Sequence, residues 1–228
     1  MNGVVQRDSE KRVSLGDKFT VDGESIRAER KVYLMLNKPR GLVTSAADEQ
    51  GRDTVFSCFV GAGLPRIFPV GRLDKASEGL LLFTNDSAWA NAITDPASHL
   101  DKIYHVQIDR VADGVFLQEL KRGVKDGDEL LRAKRVSLLR AGEKNSWLEI
   151  VLDEGKNRHV RRMLAAQGVE VLRLVRVAIG DLQLGDLAKG NFRELRPEET
   201  LVLTARVKHA SGLLPGSSAN PGRMPGAR

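Results

Sequence analysis

The apolar positions of this chain fall in short runs broken by glycine, proline and charged residues, a pattern of strands and short helices joined by turns. Val32, Leu34 and Leu36 alternate with Tyr33 and Met35, which predicts a strand apolar on both faces and therefore buried. Lys38-Pro39-Arg40-Gly41 breaks it. Ile67–Val70 and Gly79–Thr84 read as further strands, with the polar loop Gly71–Glu78 between them. Ile103–Ile108, Leu130–Leu139 and Trp147–Leu152 follow. In the last of these, Trp147, Glu149 and Val151 alternate with Leu148, Ile150 and Leu152, giving one apolar and one mixed face. Val169–Val177, Asp181–Leu184 and Phe192–Leu195 complete the strand set.

Helices are predicted from their end signals. Asp86-Ser87 caps a helix to about Thr94, ended by Asp95-Pro96. Asp113–Arg122 places Phe116, Leu117 and Leu120 on one face and closes at Gly123. Asn157 is expected to cap a helix running to Gln167, with Gly168 at its stop, and Pro197–Leu203 to form a last helix. Strands and helices mingle without strict βαβ alternation. The expected fold is therefore α+β, a largely antiparallel mixed sheet flanked by helices.

Two flanking pieces stand apart. Residues 1–30 are mixed in charge, too short for an independent domain, and hold an Asp22-Gly23 step that suggests a small hairpin. Residues 205–228 contain Arg206, Lys208, Arg223 and Arg228, no acid, and much Gly, Pro and Ser, as in a disordered basic tail. A solvated terminus of no specific role fits the tail equally well.

Composition narrows the class. Hydrophobic residues make up 41% and charged residues 29%, as in ordinary globular proteins. No apolar run approaches the roughly 18 residues that span a bilayer, and the first residues lack the apolar core of a signal peptide. A cytoplasmic protein with no membrane contact is expected. The single cysteine, Cys58, sits in the apolar run Val55–Val60 and reads as packing. Histidines 99, 105, 159 and 209 have no metal-ligand spacing, so no metal site is expected. A net charge of +6 suits a polyanionic partner, nucleic acid above all.

Two stretches carry chemistry. Gly71–Asp86 mounts Asp74 in a loop just ahead of an apolar strand, with Arg72 two residues earlier able to meet a carboxylate or phosphate. By position alone, Asp74 reads as a turn or capping residue rather than a catalytic group. Glu154–Leu164 places Val160, Met163 and Leu164 on one helix face and Arg158, Arg161 and Arg162 away from it, beside Lys156. With Arg173 and Arg176, segment 154–176 holds six basic residues against two acidic ones. The predicted helix holds no acid to pair with its arginines, and the guanidinium fork suits phosphate.

The Asp74 motif resembles the active-site signature of pseudouridine synthases, in the bacterial branch that modifies small- and large-subunit ribosomal RNA. Lys102-Ile103-Tyr104 resembles the family's second motif, which supplies a tyrosine. Gly155–Met163 and Leu172–Gly180 resemble its C-terminal motifs. With Leu184, Leu187, Gly190 and Arg193-Glu194-Leu195, the likeness runs from about Lys31 to Leu195 and implies a catalytic domain over 31–204. The wording Ser77-Glu78-Gly79 and the short N-terminus look most like the large-subunit enzymes. Residues 1–30 resemble only the last portion of the small RNA-binding module that begins many relatives. His159 stands where glutamine is usual, and Lys75-Ala76 is an unusual pair beside the aspartate.

The resemblance implies isomerisation of a uridine in ribosomal RNA or in a ribosome assembly intermediate, by a monomer that needs no cofactor. Asp74 acts at the sugar, either attacking its anomeric carbon or helping to form an unsaturated sugar intermediate. Arg161 holds that carboxylate ionised by direct pairing, and Tyr104 stacks on the base and relays a proton. The base must leave its stack, so Arg72, Lys102, Lys156, Arg158, Arg162, Arg173 and Arg176 are candidates to grip the RNA. Two rival readings stay open from the residues alone. One is a ribosome-associated RNA binder without chemistry; the other is a glycosidic-bond hydrolase using Asp74 and Glu78 as a carboxylate pair.

Overall fold

The computed structural model describes residues 1–8, 10–14, 16–26, 29–45 and 51–210. The chain divides into two compact units, Met1–Lys31 and Val32–Arg228. In the first, β1 (Phe19–Val21) and β2 (Glu24–Ile26) pair antiparallel, with Val21 opposite Glu24. Asp22 and Gly23 form the two-residue loop at φ 52° and 86°, the backbone sign that the twist of a hairpin favours. The Asp-Gly step is thus a true hairpin turn.

The second unit is built on β3 (Tyr33–Lys38), β4 (Phe68–Val70), β5 (Glu78–Thr84), β6 (Lys102–Ile108), β9 (Arg135–Ala141), β10 (Ser146–Leu152), β11 (Val171–Ile179), β12 (Leu182–Gln183) and β13 (Phe192–Glu194). A side hairpin, β7 (Val124–Asp126) with β8 (Glu129–Leu131), precedes β9. The sheet runs β13-β3-β5-β11-β6-β10-β9, with β12 beside β11 and β4 beside β5. Every pairing between these named strands is antiparallel except β5 with β11. The expected α+β, largely antiparallel mixed sheet is what forms.

Four helices flank it: α1 (Ser87–Thr94), α2 (Gly114–Arg122), α3 (His159–Ala165) and α4 (Pro197–Ala210). Asp86 and Asp113 cap α1 and α2 as their positions foretell, accepting from Ala88 and Trp89 and from Phe116. Phe116 and Leu120 of α2 and Val160, Met163 and Leu164 of α3 pack on Val106, Leu148, Ile150 and Leu174 of the sheet. A second cluster joins α1 and α4 to Met35, Leu80 and Leu82. A third gathers Leu34, Leu36, Leu81 and Phe83 under the 3₁₀ turn Val55–Phe59, where half-buried Cys58 packs. Among the described residues no helix is long and apolar enough to cross a membrane.

Three boundaries differ from the sequence reading. Asn157 does not cap α3: the helix starts at His159, its flanking residue Arg158 stands in the left-handed region at φ 47°, and no side chain caps it. Leu130–Leu139 is two strands, because β8 turns back on β7 while Lys134 N–H donates to Val151 of β10 to begin a new ladder. Helix α4 runs to Ala210, past the expected end at Leu203 and into the segment read as tail. Glu198 and Glu199 in its first turn suit the positive end of the helix dipole, and Leu203 is buried. Residues 211–228, the rest of that tail, lie outside the described residues.

The parallel junction sets Glu78 opposite Val175 and Gly79 opposite Arg176. Gly79 has φ +100°, and a Cβ there would lie 2.2 Å from the Arg176 carbonyl oxygen. Only glycine lets the two backbones approach so closely. Gly79→Ala should therefore lower stability by about 3 kcal/mol or more, or prevent folding. Gly114→Ala, at an open position with ordinary backbone, should change it by less than about 0.5 kcal/mol. Urea unfolding of the two variants checks this; equal stabilities would refute the junction.

Candidate active site

Asp74 sits in the loop between β4 and β5, and the loop is held from below. Lys38, the last residue of β3, is completely buried, and its ammonium donates to the carbonyl oxygens of Ser77 (2.8 Å), Pro39 (3.1 Å) and Asp74 (3.2 Å). Thr44 adds a bond from its hydroxyl to the Leu73 carbonyl, 2.7 Å. Burial pulls the Lys38 pKa down to about 8, against the opposing influence of Asp74 and Glu78.

The carboxylate faces a cleft of about 580 Å³ lined by the Asp74 loop, Lys102 and Tyr104 of β6, the start of α3 and Arg176 of β11. Six Lys or Arg side chains line it against two carboxylates, Asp74 and Glu154. Asp74 Oδ2 lies 3.5 Å from Arg158 Nη1 and 3.9 Å from Arg161 Nε. Neither is a close fork. Arg161 spends its terminal nitrogens on the carbonyls of Ala76 (3.1 Å) and Val171 (3.4 Å), bracing the Asp74 loop against the approach to β11. Its Nε, buried and without a hydrogen-bond partner, is left facing the carboxylate. Burial, with Arg158 beside it, lowers the Arg161 pKa, and Asp74 opposes the shift.

Arg176 is buried opposite Tyr104 in the β6–β11 ladder. Its Nε donates to the Leu80 carbonyl at 2.7 Å, while Nη2 has no partner among the described residues. Lys102 shares the cleft, its pKa lowered by burial and then by Arg176. His159 also lines it, and burial lowers its pKa, keeping the imidazole neutral near pH 7.

The structure thus gathers Asp74, Tyr104 and Arg161 around one cleft, with Arg72, Lys102, Lys156, Arg158 and Arg176 on its walls. Arg162 and Arg173, expected to grip RNA beside them, are engaged elsewhere. Arg162 Nε lies 2.5 Å from Asp126, and its terminal nitrogen pairs with Glu129, tying α3 to the β7–β8 hairpin. Arg173 makes a two-point bond with Glu78, at 2.8 and 3.1 Å. All three acids lie far along the chain from their arginines, so inspection of the arginine helix alone could not find them. The sequence reading takes Lys38 only as part of a strand break. The signal available is a charged residue close behind an apolar run, separated from it by Asn37 alone.

Burial pushes the Glu78 carboxyl up, but Arg173 and Lys189, the latter at 2.5 Å, outweigh it and hold the pKa below the usual range. Glu78 is thereby committed to two cations, which removes it as the partner of Asp74 in a hydrolase carboxylate pair.

Comparison with known proteins agrees with this geometry. The family described as RNA pseudouridylate synthase matches residues 32–166. "Ribosomal large subunit pseudouridine synthase B" of Bacillus subtilis is 36% identical over 92% of this chain and 86% of that protein. An "Uncharacterized RNA pseudouridine synthase" of Aquifex aeolicus is 38% identical over 80% and 74%. A solved "Crystal structure of pseudouridylate synthase" superposes with a TM-score of 0.68 at 29% identity, covering 89% of this chain and 86% of that one.

The buried lysine gives a pH signature. Its folded pKa of about 8 lies below the ordinary 10.5. Below pH 8 the ammonium is charged in both states and the cost of burying it is fully present. Between 8 and 10.5 the unfolded chain binds a proton that the folded chain does not, so this contribution to stability rises with pH. Relative to Lys38→Met, the parent protein should gain on the order of 2 to 3 kcal/mol between pH 7 and pH 10.5. Urea midpoints for both proteins across that range test the sign; a relative loss would show that the charged form is the preferred one.

Proposed function

The chain belongs to the RNA pseudouridylate synthase family, and from that premise we propose that it isomerises a uridine of ribosomal RNA with Asp74 acting at the ribose. The reaction breaks the bond from C1′ to N1 of uracil, turns the base and joins C1′ to C5. The hydrogen at C5 leaves as a proton and N1 ends protonated, so nothing is oxidised or reduced. The observation that carries the reading is one accessible carboxylate, on a loop braced by Lys38 and Arg161, opening into a cation-lined cleft beside Tyr104.

Whether Asp74 attacks C1′ or helps to form an unsaturated sugar, it must be ionised and reachable. Two guanidiniums stand beside the carboxylate at 3.5 and 3.9 Å without enclosing it. Tyr104 offers a ring for the extruded base and a hydroxyl that can relay the proton. Arg72, Lys102, Lys156, Arg158 and Arg176 are the proposed phosphate and base contacts, and Arg161 positions the loop. Glu154, which pairs with Lys156 at 3.1 Å, is displaced from it when a phosphate enters. One chain supplies the whole cleft, so the protein acts as a monomer, in the cytoplasm where ribosomes assemble. The relatives named for the large subunit support its RNA as the substrate, as free RNA or in an assembly intermediate. Residues 1–30, which resemble the last portion of an RNA-binding module, add contacts to that RNA.

Purified protein should release tritium from ribosomal RNA labelled at uracil C5. Asp74→Asn should abolish release while RNA binding survives, and residual turnover in that variant would end the assignment. Tyr104→Phe should slow turnover at least tenfold with little change in Kd; a fall in binding alone would make the ring a stacking platform only. Arg162→Ala should lower the urea midpoint through the loss of its pairing with two acids, yet leave the salt dependence of RNA binding unaltered. A flatter salt slope would return Arg162 to the RNA surface.

A further inference from the structure

Side chains alternate across the sheet, and the cleft uses only one set. Lys102, Tyr104, Leu152, Leu174 and Arg176 line it. The neighbouring odd-numbered positions of β6, β10 and the first half of β11 therefore face the other way. The helices packed against these strands, α2 and α3, place Phe116, Leu120, Val160 and Met163 in the core cluster on the cleft side, with Leu148 and Leu174. The opposite face is partly exposed.

One row across that face is unusual. In register from β9 to β11 it reads Arg140, Trp147, Gln107, Arg173. The Arg140 guanidinium lies 5.3 Å from the Trp147 ring centroid, reaching it from the adjacent β9, and the Arg173 guanidinium lies 5.8 Å away, reaching across β6 from β11. Both are within cation–π range, but looser than Arg110 over Phe116 at 4.4 Å. Arg173 is fixed by Glu78, whereas Arg140 is exposed and has no ion pair among the described residues. The next row adds His105 and Glu149, the latter already paired with Arg135 at 3.1 Å. Cations outnumber acids on this surface, and an indole stands half-exposed among them.

An aromatic ring on an open sheet face, with guanidiniums at its sides, fits an unpaired nucleobase and its phosphates. Base–aromatic stacking contributes about 1–3 kcal/mol per base, and arginine supplies the phosphate contact. Duplex RNA cannot stack in this way, and an acidic protein would have no use for the ring. We propose that this rear face is a second RNA-contacting surface, on which an unpaired base of the RNA stacks on Trp147 while Arg140 holds an adjacent phosphate. The proposal rests on the chain acting on RNA. It places a flanking single-stranded segment behind the sheet while the target uridine occupies the cleft. Arg173 and Glu78 link the two sides, because Glu78 begins the strand that follows the Asp74 loop.

The test uses the full chain and a labelled ribosomal RNA fragment containing unpaired segments. The two tryptophans are Trp89, buried, and Trp147, so emission lost between the parent and Trp147→Phe reports on the surface ring. That emission should be quenched by the fragment and by oligoadenylate, and not by a blunt RNA duplex. Trp147→Ala should raise Kd and KM for the fragment about 5- to 100-fold, with the loss concentrated in KM rather than kcat. Trp147→Phe should restore most of the affinity, and Arg140→Ala should weaken binding and flatten its salt dependence by about one charge. Unchanged Kd, KM and emission alongside normal tritium release would overturn this surface and leave the synthase reading intact. Quenching and weakened binding without any tritium release from the parent protein would do the reverse. Binding of polyglutamate that depends on Trp147, with RNA affinity unmoved, would assign the face to an acidic protein and overturn the proposal.

Discussion

A lysine ammonium shut away from solvent has three N–H bonds to place, and leaving one unmade is costly. In this chain the carbonyl oxygens of Pro39, Asp74 and Ser77 accept them, so burying Lys38 and shaping the Asp74 loop are one event. The loop cannot relax away without stranding a buried charge. Its other end is fixed by Gly79, where the close approach of two parallel strands excludes any side chain. Between these anchors only a few residues remain, and Asp74 is the one whose side chain is left open to the cleft. A reactive group needs such support, because a carboxylate displaced by an ångström from its partner loses much of its effect.

The same sheet divides its charges by face. On the cleft side lie cations with few acids. On the rear, Arg135 and Arg173 each have a carboxylate, while Arg140 shares an indole with Arg173. At the helix edge, Arg162 is consumed by Asp126 and Glu129, which turns a residue of the arginine-rich helix into a strut for the β7–β8 hairpin. Basic composition alone therefore says little about where a polyanion binds. What distinguishes the cleft is that Arg72, Lys102 and Arg176, half of its six cations, form no ion pair among the described residues, so an RNA phosphate gains more there than on the already neutralised struts.

Much of this architecture was legible from residues near in sequence. The hairpin turn at Asp22-Gly23, the caps Asp86 and Asp113, the buried strand at 33–36 and the Asp74 loop each follow from a local rule, and each formed. What escaped was non-local. Glu78 meets Arg173 and Asp126 meets Arg162 only after the sheet and its hairpin have assembled, so a helix without acids looked unpaired when it was not. Asn157 had the chemistry of a cap, but the left-handed turn at Arg158 starts the helix later and aims that guanidinium at Asp74. A non-glycine residue in that conformation carries strain of about 1 kcal/mol or more, and here the strained position lies beside the accessible carboxylate.

The looseness of the Asp74 pairing then has a use. Had Arg161 forked the carboxylate at hydrogen-bond distance, both oxygens would be committed and unavailable to the sugar. Instead its terminal nitrogens hold the carbonyls of Ala76 and Val171, and only Nε faces Asp74, at 3.9 Å. Two guanidiniums still stand beside the carboxylate, while its oxygens keep room for a ribose carbon or its proton. Arg176 follows the same logic from the other wall: one terminal nitrogen is buried with no acceptor, which is unfavourable in the free protein. A phosphate or a uracil carbonyl reaching that nitrogen would relieve the cost, so part of the affinity for an extruded nucleotide is stored in the empty cleft as an unmade hydrogen bond.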